Sequence, residues 1–349
     1  MTRRLHLSTI PFLLLRIKSE YSQPRNYRWR LSHIRPKFLL NATASIVLLL
    51  LGCSSDVTNP PISLAGRGFP ESAPWVSFYG DATQMGDLER VASTFRIINI
   101  DADPDLGNFT TQEIARLRND GRNRVISYFN LGSCESFRSY WSNAPAGFIA
   151  CSANVAAHRG LYDGYPDETW MDPGNADYQH LLIDYVAPRL VSQGIDGFFF
   201  DNLEIIEHGT STTNGPCDSA CVRGGIELVR KLREKYPDLL FVMQNATSDV
   251  TRLGTTAGSA FPMLLDGISH EEVYAPSVDS LAIAELRAWR DMNLKPGGRE
   301  FWIGTEEYVG SCGNTVDARA AYTASRAQRF SPYATDSSAG QQVVCYWPF

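Results

Sequence analysis

Two carboxylates in this sequence follow short apolar runs and are the first candidates for chemistry. They are Asp201, which ends the run Gly-Phe-Phe-Phe-Asp, and Glu271, which ends the run Gly-Ile-Ser-His-Glu. Side chains of a β-strand alternate between its two faces, so Asp201 shares a face with Phe199 and Glu271 shares one with Ser269. If both runs are strands of one barrel, both carboxylates point into the same interior.

A pair of facing carboxyl groups is typical of glycoside hydrolysis. One carboxylic acid protonates the leaving oxygen, while the other carboxylate attacks the anomeric carbon or activates a water molecule. The sequence offers no plausible Ser-His-Asp or Cys-His set, no glycine-rich phosphate loop and no zinc-ligand spacing, which favours glycoside hydrolysis and predicts no metal site. The alternative for either carboxylate alone is a helix cap or an ion pair at the rim.

The neighbours of the two carboxylates are assigned other roles. Ile268 suits the outer layer that faces the helices, which places Glu271 rather than Glu272 inward. His270 then lies on the rim or in a second layer, and we do not expect it to be catalytic. Asp196 begins its strand, so it belongs to the opposite end of the barrel and to the structure rather than to the chemistry.

Apolar runs alternate with amphipathic stretches through the body of the chain, which predicts a (β/α)8 TIM-type barrel; an open doubly wound sheet is the alternative. The predicted strands are Trp75–Tyr79, Arg96–Asp101, Arg124–Asn130, Ile195–Asp201, Leu239–Gln244, Gly267–Tyr274, Phe301–Glu307 and Gln342–Trp347, with a short extra strand or loop at 170–172. The predicted helices are Thr111–Asn119, Tyr178–Ser192, Cys221–Tyr236 and Ser280–Met292. Most of these strands end in polar side chains, which indicates one polar crater at the C-terminal mouth.

The first 52 residues have the composition of an export leader. They carry nine Lys and Arg and one Glu, and they end in an apolar run nearer in length to a signal-peptide core than to a membrane span. Leu50-Leu51-Gly52-Cys53 resembles a bacterial lipoprotein box, with an uncleaved anchor as the alternative. We therefore expect a leader with a lipoprotein-type signal peptide at 1–52, lipidated Cys53 with a tether to residue 70, and the barrel at 71–349. The barrel would be exported, as a membrane-anchored lipoprotein or secreted.

Six cysteines remain after Cys53, and an even number in an exported domain suggests disulfides. Pairing each with its nearest neighbour is one of several possible connectivities. It predicts the disulfides Cys134–Cys151, Cys217–Cys221 and Cys312–Cys345. The alternative for Cys217 and Cys221 is a metal clip, for which no second Cys or His pair stands at ligand spacing.

The charge is distributed unevenly along the chain. Its net value is −6, and because residues 1–52 contribute +8, residues 53–349 carry −14. A body this acidic repels nucleic acid and attracts cations, in solution or on a polymer. The alternative is that the charge only keeps the protein soluble.

A set of motifs in fixed order resembles glycoside hydrolase family 114, the endo-α-1,4-polygalactosaminidases. The stretch Tyr128–Trp141 is similar to that family's pattern Y-x-x-x-G-x-x-E-x-x-R-x-Y-W. Four further blocks match in order: residues 170–172, 194–202, 244–245 and 268–274. The resemblance covers roughly residues 74–308 and becomes loose towards the end of the chain.

The resemblance implies a (β/α)8 barrel that cleaves α-1,4-linked galactosamine polymers without a cofactor. It assigns the catalytic Asp to Asp201, as nucleophile if configuration is retained, and the catalytic Glu to Glu271, as acid/base; inversion would make one of them the base for a water molecule. The expected partners are a cationic galactosamine polysaccharide and, through the lipid, a membrane, with the protein a monomer and no nucleic acid bound. The candidate sugar contacts are Tyr128, Asp172, Asn202, Gln244, Glu272 and Tyr308.

Two other functions stay open at the level of sequence. The chain could be a non-catalytic, lipid-anchored polysaccharide-binding protein that keeps the barrel. It could also hydrolyse a different exopolysaccharide, because a fold and a carboxylate pair do not specify a sugar.

Overall fold

Eight parallel strands form a nearly closed ring in a computed structural model that describes residues 68–69, 73–336 and 340–349. The strands follow one another around the ring in chain order, which confirms the predicted (β/α)8 barrel. Their bounds are Trp75–Phe78 (β1), Ile97–Ile100 (β2), Arg124–Asn130 (β3), Gly197–Asp201 (β4), Leu240–Gln244 (β5), Gly267–Glu271 (β6), Trp302–Tyr308 (β7) and Ser331–Thr335 (β8).

The predicted leader at 1–52, Cys53 and the rest of the predicted tether, apart from Gly68 and Phe69, lie outside the described residues. Within the ranges that are described, no helix has the length and apolar character needed to cross a membrane.

Helices alternate with the strands and pack against their outer faces. The α-helices are Ala82–Met85, Leu88–Thr94, Thr111–Arg118, Ser139–Ser142, Ala176–His180, Ala187–Ser192, Ser219–Lys235, Asp249–Arg252, Ser280–Asp291 and Thr315–Ala327, with a π-helical turn at Leu181–Val186. Short 3-10 turns occupy Asn119–Gly121, Cys151–Ala153, Val155–Ala157, Leu203–Glu207, Phe261–Leu264 and Pro296–Gly298. The longest α-helix begins where the Asp218 side chain accepts hydrogen bonds from two backbone N–H groups of its first turn.

An accessory antiparallel sheet is inserted after β3 and stands beside the mouth of the barrel. Its strands are Ser133–Glu135, His158–Tyr162 and Tyr165–Met171. The last of these contains Trp170 and Met171, for which the sequence predicts a short strand or loop. A two-residue hairpin joins Thr255–Thr256 to Ser259–Ala260.

Aromatic side chains close the N-terminal half of the barrel interior. The ring of Trp75 packs against those of Phe199, Trp302 and Tyr333, with ring centroids 5.2 to 6.3 Å apart. Inward-facing positions nearer the C-terminal ends of the strands are polar. The interior is therefore a packed core with a single polar mouth, as expected for this fold.

The ring is bridged by side chains and by the chain terminus between β8 and β1, where no strand pairing joins the two in the described ranges. The indole N–H of Trp75 donates to the carbonyl of Ser331 (2.8 Å), and the backbone N–H of Tyr79 donates to the carbonyl of Gln341 (2.9 Å). Gln341 is buried in this gap and closes it.

The predicted eighth strand at Gln342–Trp347 is wrong, because β8 is Ser331–Thr335. Proline is tolerated in β8 because an edge strand has backbone N–H groups that need no partner in the sheet. The segment 342–347 instead packs irregularly beside β8, where the Trp347 indole donates to the carbonyl of Ala334 (2.8 Å). Helix Thr315–Ala327, between β7 and β8, was not among the predicted helices.

Three disulfides join the pairs that the sequence predicts: Cys134–Cys151, Cys217–Cys221 and Cys312–Cys345. The first ties the accessory sheet to the turn that follows Ala150. The third ties the segment after β8 to the loop after β7, and so holds Gln341 near the gap.

Candidate active site

Asp201 is the last residue of β4, and the alternation that places Phe199 inward also points Asp201 into the mouth. Asn202 then adopts a left-handed backbone with a φ of 61°, which ends the strand at this residue. The Oδ1 atom of Asp201 is buried and has no hydrogen-bond partner among the described residues. Burial, followed by the charges of Glu204 and Glu271, raises the pKa of Asp201 well above its usual range.

Glu271 ends β6 and is held from both of its carboxylate oxygens. Oε2 accepts a hydrogen bond from the Asn245 side chain (2.8 Å), and Oε1 accepts one from the Tyr308 hydroxyl and a longer one from the Gln341 amide (3.3 Å). The same Asn245 side chain accepts from the backbone N–H of Glu271 (3.1 Å). Glu271 is thus oriented by groups from three neighbouring segments.

Asp201 and Glu271 end the two strands that flank β5, β4 and β6. Gln244 of β5 pairs with Ser269 of β6, so Glu271 stands one inward position beyond Gln244 towards the mouth. The charge on Glu271 contributes to the raised pKa of Asp201, after burial and the charge on Glu204. Gln244 itself is 2% exposed, and its Oε1 atom lacks a partner in the described part of the chain.

Glu306 is a third inward carboxyl group. It pairs in register with Glu271 and is fully buried, and neither of its oxygens has a hydrogen-bond partner within the described residues. Burial and then the charges of Glu271, Glu307 and Asp201 raise its pKa well above the usual range of a glutamate. Glu306 was not among the predicted site residues, although the alternation of side chains along β7 from Gly304 places it inward.

Further carboxylates with perturbed pKa values line the outer side of Asp201. Burial is the largest cause for Glu168, Glu204 and Glu207, and it raises their pKa values to about 7, 8 and 7. Glu168 projects from the accessory sheet, while Glu204 and Glu207 lie on the 3-10 turn that follows Asp201. None of the three was selected from the sequence, because their positions depend on loops.

Four of the six predicted sugar contacts lie close to the carboxylate pair. Tyr128 packs edge-on against Tyr79 with ring centroids 5.1 Å apart, and the charge of Asp201 contributes to its raised pKa after burial and Glu135. Tyr308 contacts Glu271 directly. The other two are Gln244, beneath the pair, and Asn202, whose amide donates to Ser133 (2.8 Å) and Glu168 (3.0 Å).

The other two predicted contacts, Asp172 and Glu272, have different surroundings. The carboxylate of Asp172 forms an ion pair with Arg159 and accepts from the backbone N–H of Gly174 (2.8 Å), which orders a turn. Glu272 is exposed at the rim, with a left-handed φ of 54°.

The residues expected to be structural have structural contacts. Asp196 pairs with Arg118 (2.7 Å) and accepts from the backbone N–H of Val125 (3.0 Å) at the N-terminal end of the barrel. The Nδ1 atom of His270 lies 2.7 Å from the backbone carbonyl oxygen of Glu271.

A second acidic region adjoins the first at the mouth and contains arginines. Arg138 is buried and pairs with Asp101 (2.9 Å), Glu135 (2.8 Å) and, at longer range, Asp103 (3.5 Å). Arg189 also pairs with Asp103 (3.0 Å). These carboxylates are neutralised within the protein, in contrast to those around Asp201.

A (β/α)8 barrel whose strands end in carboxyl groups at the C-terminal mouth fits glycoside hydrolysis, which uses two such groups. The family model for glycoside-hydrolase family GH114 matches residues 70–259, more than half of the chain. The chain therefore belongs to glycoside-hydrolase family GH114, as the sequence motifs predict.

Solved structures share this fold at low sequence identity. The glycoside hydrolase domain of PelA from Pseudomonas aeruginosa is 15% identical, with a TM-score of 0.58, over 78% of this chain and 96% of that domain. Aspergillus fumigatus Ega3, solved in complex with galactosamine, is 15% identical, with a TM-score of 0.55, over 80% of this chain and 97% of that one. These likenesses show the barrel fold.

The chain spans about half the length of the curated relatives it matches. An uncharacterized protein of Thermotoga maritima is 24% identical over 45% of this chain and 49% of its own length. Another, from Deinococcus radiodurans, is 25% identical over 52% of this chain and 54% of its own length.

Proposed function

We propose that this protein hydrolyses an exopolysaccharide that contains α-1,4-linked galactosamine, with Asp201 and Glu271 as its carboxylate pair. The family match carries the proposal, and it is supported by the positions of Asp201 and Glu271 at the C-terminal ends of β4 and β6. The galactosamine complex of Ega3, a protein of the same fold, supports an amino sugar as the substrate.

In the proposed reaction Asp201 attacks the anomeric carbon while Glu271 delivers a proton to the departing glycosidic oxygen. Water then displaces Asp201 from the glycosyl intermediate and returns a proton to Glu271, which gives net retention. Inversion would instead use one carboxylate to activate water in a single step. Hydrogen bonds from Tyr308, Asn245 and Gln341 fix the orientation of Glu271, which supports its role as the acid/base of the retaining reaction.

Nucleophilic attack requires that Asp201 be ionised. Burial and the neighbouring carboxylates favour its protonated form. An amino sugar that carries an ammonium group would lower the pKa of Asp201 by opposing those negative charges. A cationic substrate therefore fits the electrostatics of this pair better than a neutral one.

We further propose that the barrel works outside the cytoplasm as a monomer, held to a membrane by lipid on Cys53. Three disulfides support export, because such bonds persist in oxidising compartments. Metabolic labelling with a radioactive fatty acid tests the anchor, and Cys53→Ala should abolish the label.

Product analysis on partly deacetylated galactosaminan tests the activity. Asp201→Asn and Glu271→Gln should each lower kcat/KM by about a thousandfold or more with the circular-dichroism spectrum unchanged, while Glu300→Gln, exposed at the other end of the barrel, should leave it unchanged. Cleavage of a neutral galactan instead would contradict the substrate, and binding without cleavage would favour a polysaccharide-binding protein. The anomeric configuration of the first product distinguishes retention from inversion.

A further inference from the structure

Glu204 lies three residues after Asp201, on the 3-10 turn Leu203–Glu207. It is partly exposed, its Oε2 atom is buried without a partner among the described residues, and its Oε1 atom lies 3.5 Å from the Tyr162 hydroxyl. After burial, Glu204 has the largest charge effect on Asp201. It therefore stands beside the reacting centre with one carboxylate oxygen uncommitted.

No cation among the described residues neutralises this side of the mouth. Throughout the described ranges, no Lys, Arg or His forms an ion pair with Glu168, Asp201, Glu204 or Glu306. Buried carboxylates are normally paired, so an unpaired group of this size favours binding of a positive charge from outside. The described residues also form no group of three or more His, Cys, Asp or Glu able to hold a metal ion.

A second observation concerns hydrogen bonding and does not depend on Glu204. Two almost fully buried side chains point into the same interior with unpartnered acceptor atoms, at Gln244 Oε1 and at both carboxylate oxygens of Glu306. Unsatisfied buried acceptors are rare and costly. They call for a ligand that supplies donors, and an ammonium group has three N–H donors and no acceptor.

The wall opposite Glu204 is aromatic. Tyr162 is partly exposed and stacks on Trp170, with ring centroids 4.0 Å apart and planes 22° from parallel. A tyrosine ring fixed in this way offers an apolar face to a sugar and a favourable surface to a cation. The charge of Glu204 is the largest charge effect on the Tyr162 hydroxyl, so carboxylate and ring share one surface.

We propose that Glu204 and Tyr162 form a subsite for the ammonium group of an amino sugar next to the cleaved linkage, and that this subsite selects free amines over acetamides. An acetamide has one donor and a carbonyl acceptor, and it carries no charge to offset the carboxylates. This inference rests on the proposed function, which identifies the bound polysaccharide as a galactosamine polymer. It adds a residue that determines which units of that chain are accepted.

Glu204→Gln tests the subsite, and Glu207→Gln is its matched control. Glu207 lies on the same turn, but its Oε1 atom accepts from the backbone N–H of Ser248 (3.0 Å) and the hydroxyl of Thr251 (2.7 Å), so it anchors the helix Asp249–Arg252. We expect Glu204→Gln to lower kcat/KM about 30-fold or more on a fully deacetylated galactosamine oligosaccharide and to leave kcat/KM on the N-acetylated oligosaccharide nearly unchanged. Glu207→Gln should preserve the ratio between the two substrates.

Tyr162→Ala separates stacking from charge recognition. Loss of the ring should weaken the binding of both oligosaccharides to a similar degree, because the face of a sugar stacks whether or not its nitrogen is acetylated. Added salt should raise KM for the amine substrate in the wild type and much less in Glu204→Gln. Equal losses on both substrates in Glu204→Gln would overturn the proposal.

Calorimetric binding to the Glu271→Gln protein keeps this test independent of turnover. We expect it to bind the deacetylated oligosaccharide in preference to the acetylated one, and the double variant Glu204→Gln/Glu271→Gln to lose that preference. If the wild type cleaves neither oligosaccharide while this preference holds, the proposed function is wrong and the subsite stands. If the Glu271→Gln protein shows no preference, the subsite is wrong.

Discussion

Two acidic regions share the mouth of this barrel and differ in how their charge is balanced. Around Arg138, the carboxylates Asp101, Asp103 and Glu135 each lie within 3.5 Å of its guanidinium group. Arg138 lowers the pKa of Asp101, although burial still leaves that pKa raised overall. These ion pairs join the loop after β2 to the accessory sheet, and the charges are balanced inside the protein.

Around Asp201 the carboxylates have no such partner in the described part of the chain, and burial raises the pKa values of Glu168, Glu204 and Glu306. An unneutralised buried carboxylate reduces stability, whereas one paired and hydrogen-bonded need not. The difference teaches that acidic residues at one rim can serve two ends. The carboxylates paired with Arg138 stabilise the fold, and the unpaired carboxylates around Asp201 are available to the proposed cationic substrate.

Removing the central cation should break the paired region and gives the largest expected effect. Arg138→Met leaves the buried carboxylates of Asp101 and Glu135 without their ion-pair partner, whereas Asp103 keeps its pair with Arg189. We expect the free energy of unfolding, measured by urea denaturation, to fall by about 3–5 kcal/mol. Arg116→Met removes an exposed pair with Glu89 and should cost less than about 1 kcal/mol. Similar small losses for both would mean that the buried pairs add no stability.

Neutralising one unpaired carboxyl group should have the opposite sign and should depend on pH. The folded-state pKa of Glu306 is raised, so above about pH 4.5 the unfolded chain loses this proton first, and stability falls as pH rises towards the folded pKa. Glu306→Gln removes that loss, and its unfolding free energy should exceed the wild-type value by about 1–3 kcal/mol at pH 8 but little at pH 4.5.

Urea denaturation of both proteins across this pH range measures the difference. Glu135→Gln is the control from the paired region, and it should be less stable than the wild type at pH 8 because it removes a partner of Arg138. A Glu306→Gln protein that is less stable than the wild type at pH 8 would show that Glu306 is satisfied in the folded state.

The smallest effect should come from Tyr308, which was predicted to contact sugar and is found on Glu271. Tyr308→Phe removes one hydrogen-bond donor that orients the proposed acid/base, so kcat should fall about tenfold with KM nearly constant. Steady-state kinetics on galactosaminan measures both constants. A rise in KM at constant kcat would instead indicate that Tyr308 binds the sugar, as the sequence predicts.

Alternation along single strands made the barrel and its two leading carboxylates predictable from sequence. Gly197, Phe199 and Asp201 face inward together because strand geometry has a period of two, and seven of the eight predicted strands overlap the observed ones. The same rule could have selected Glu306 over Glu307, but two adjacent carboxylates at one strand end made the choice ambiguous.

The remainder of the site depends on contacts between segments distant in sequence. Glu204 lies beyond the end of β4, so strand alternation does not fix its position. That position follows from the turn that Asn202 begins. Glu168 arrives from an inserted sheet. Strand β8 was missed because Ser331–Thr335 is short, contains a proline and is less apolar than the segment after it.

Gln341 gives the seam between β8 and β1 a role beyond closing the ring. One side chain accepts a hydrogen bond from Ser77 of β1 and donates to Glu271 and Tyr308. Any widening of that seam on heating therefore displaces the proposed proton donor while the rest of the barrel is still folded. We therefore expect activity to be lost on heating at a lower temperature than the cooperative unfolding of the barrel.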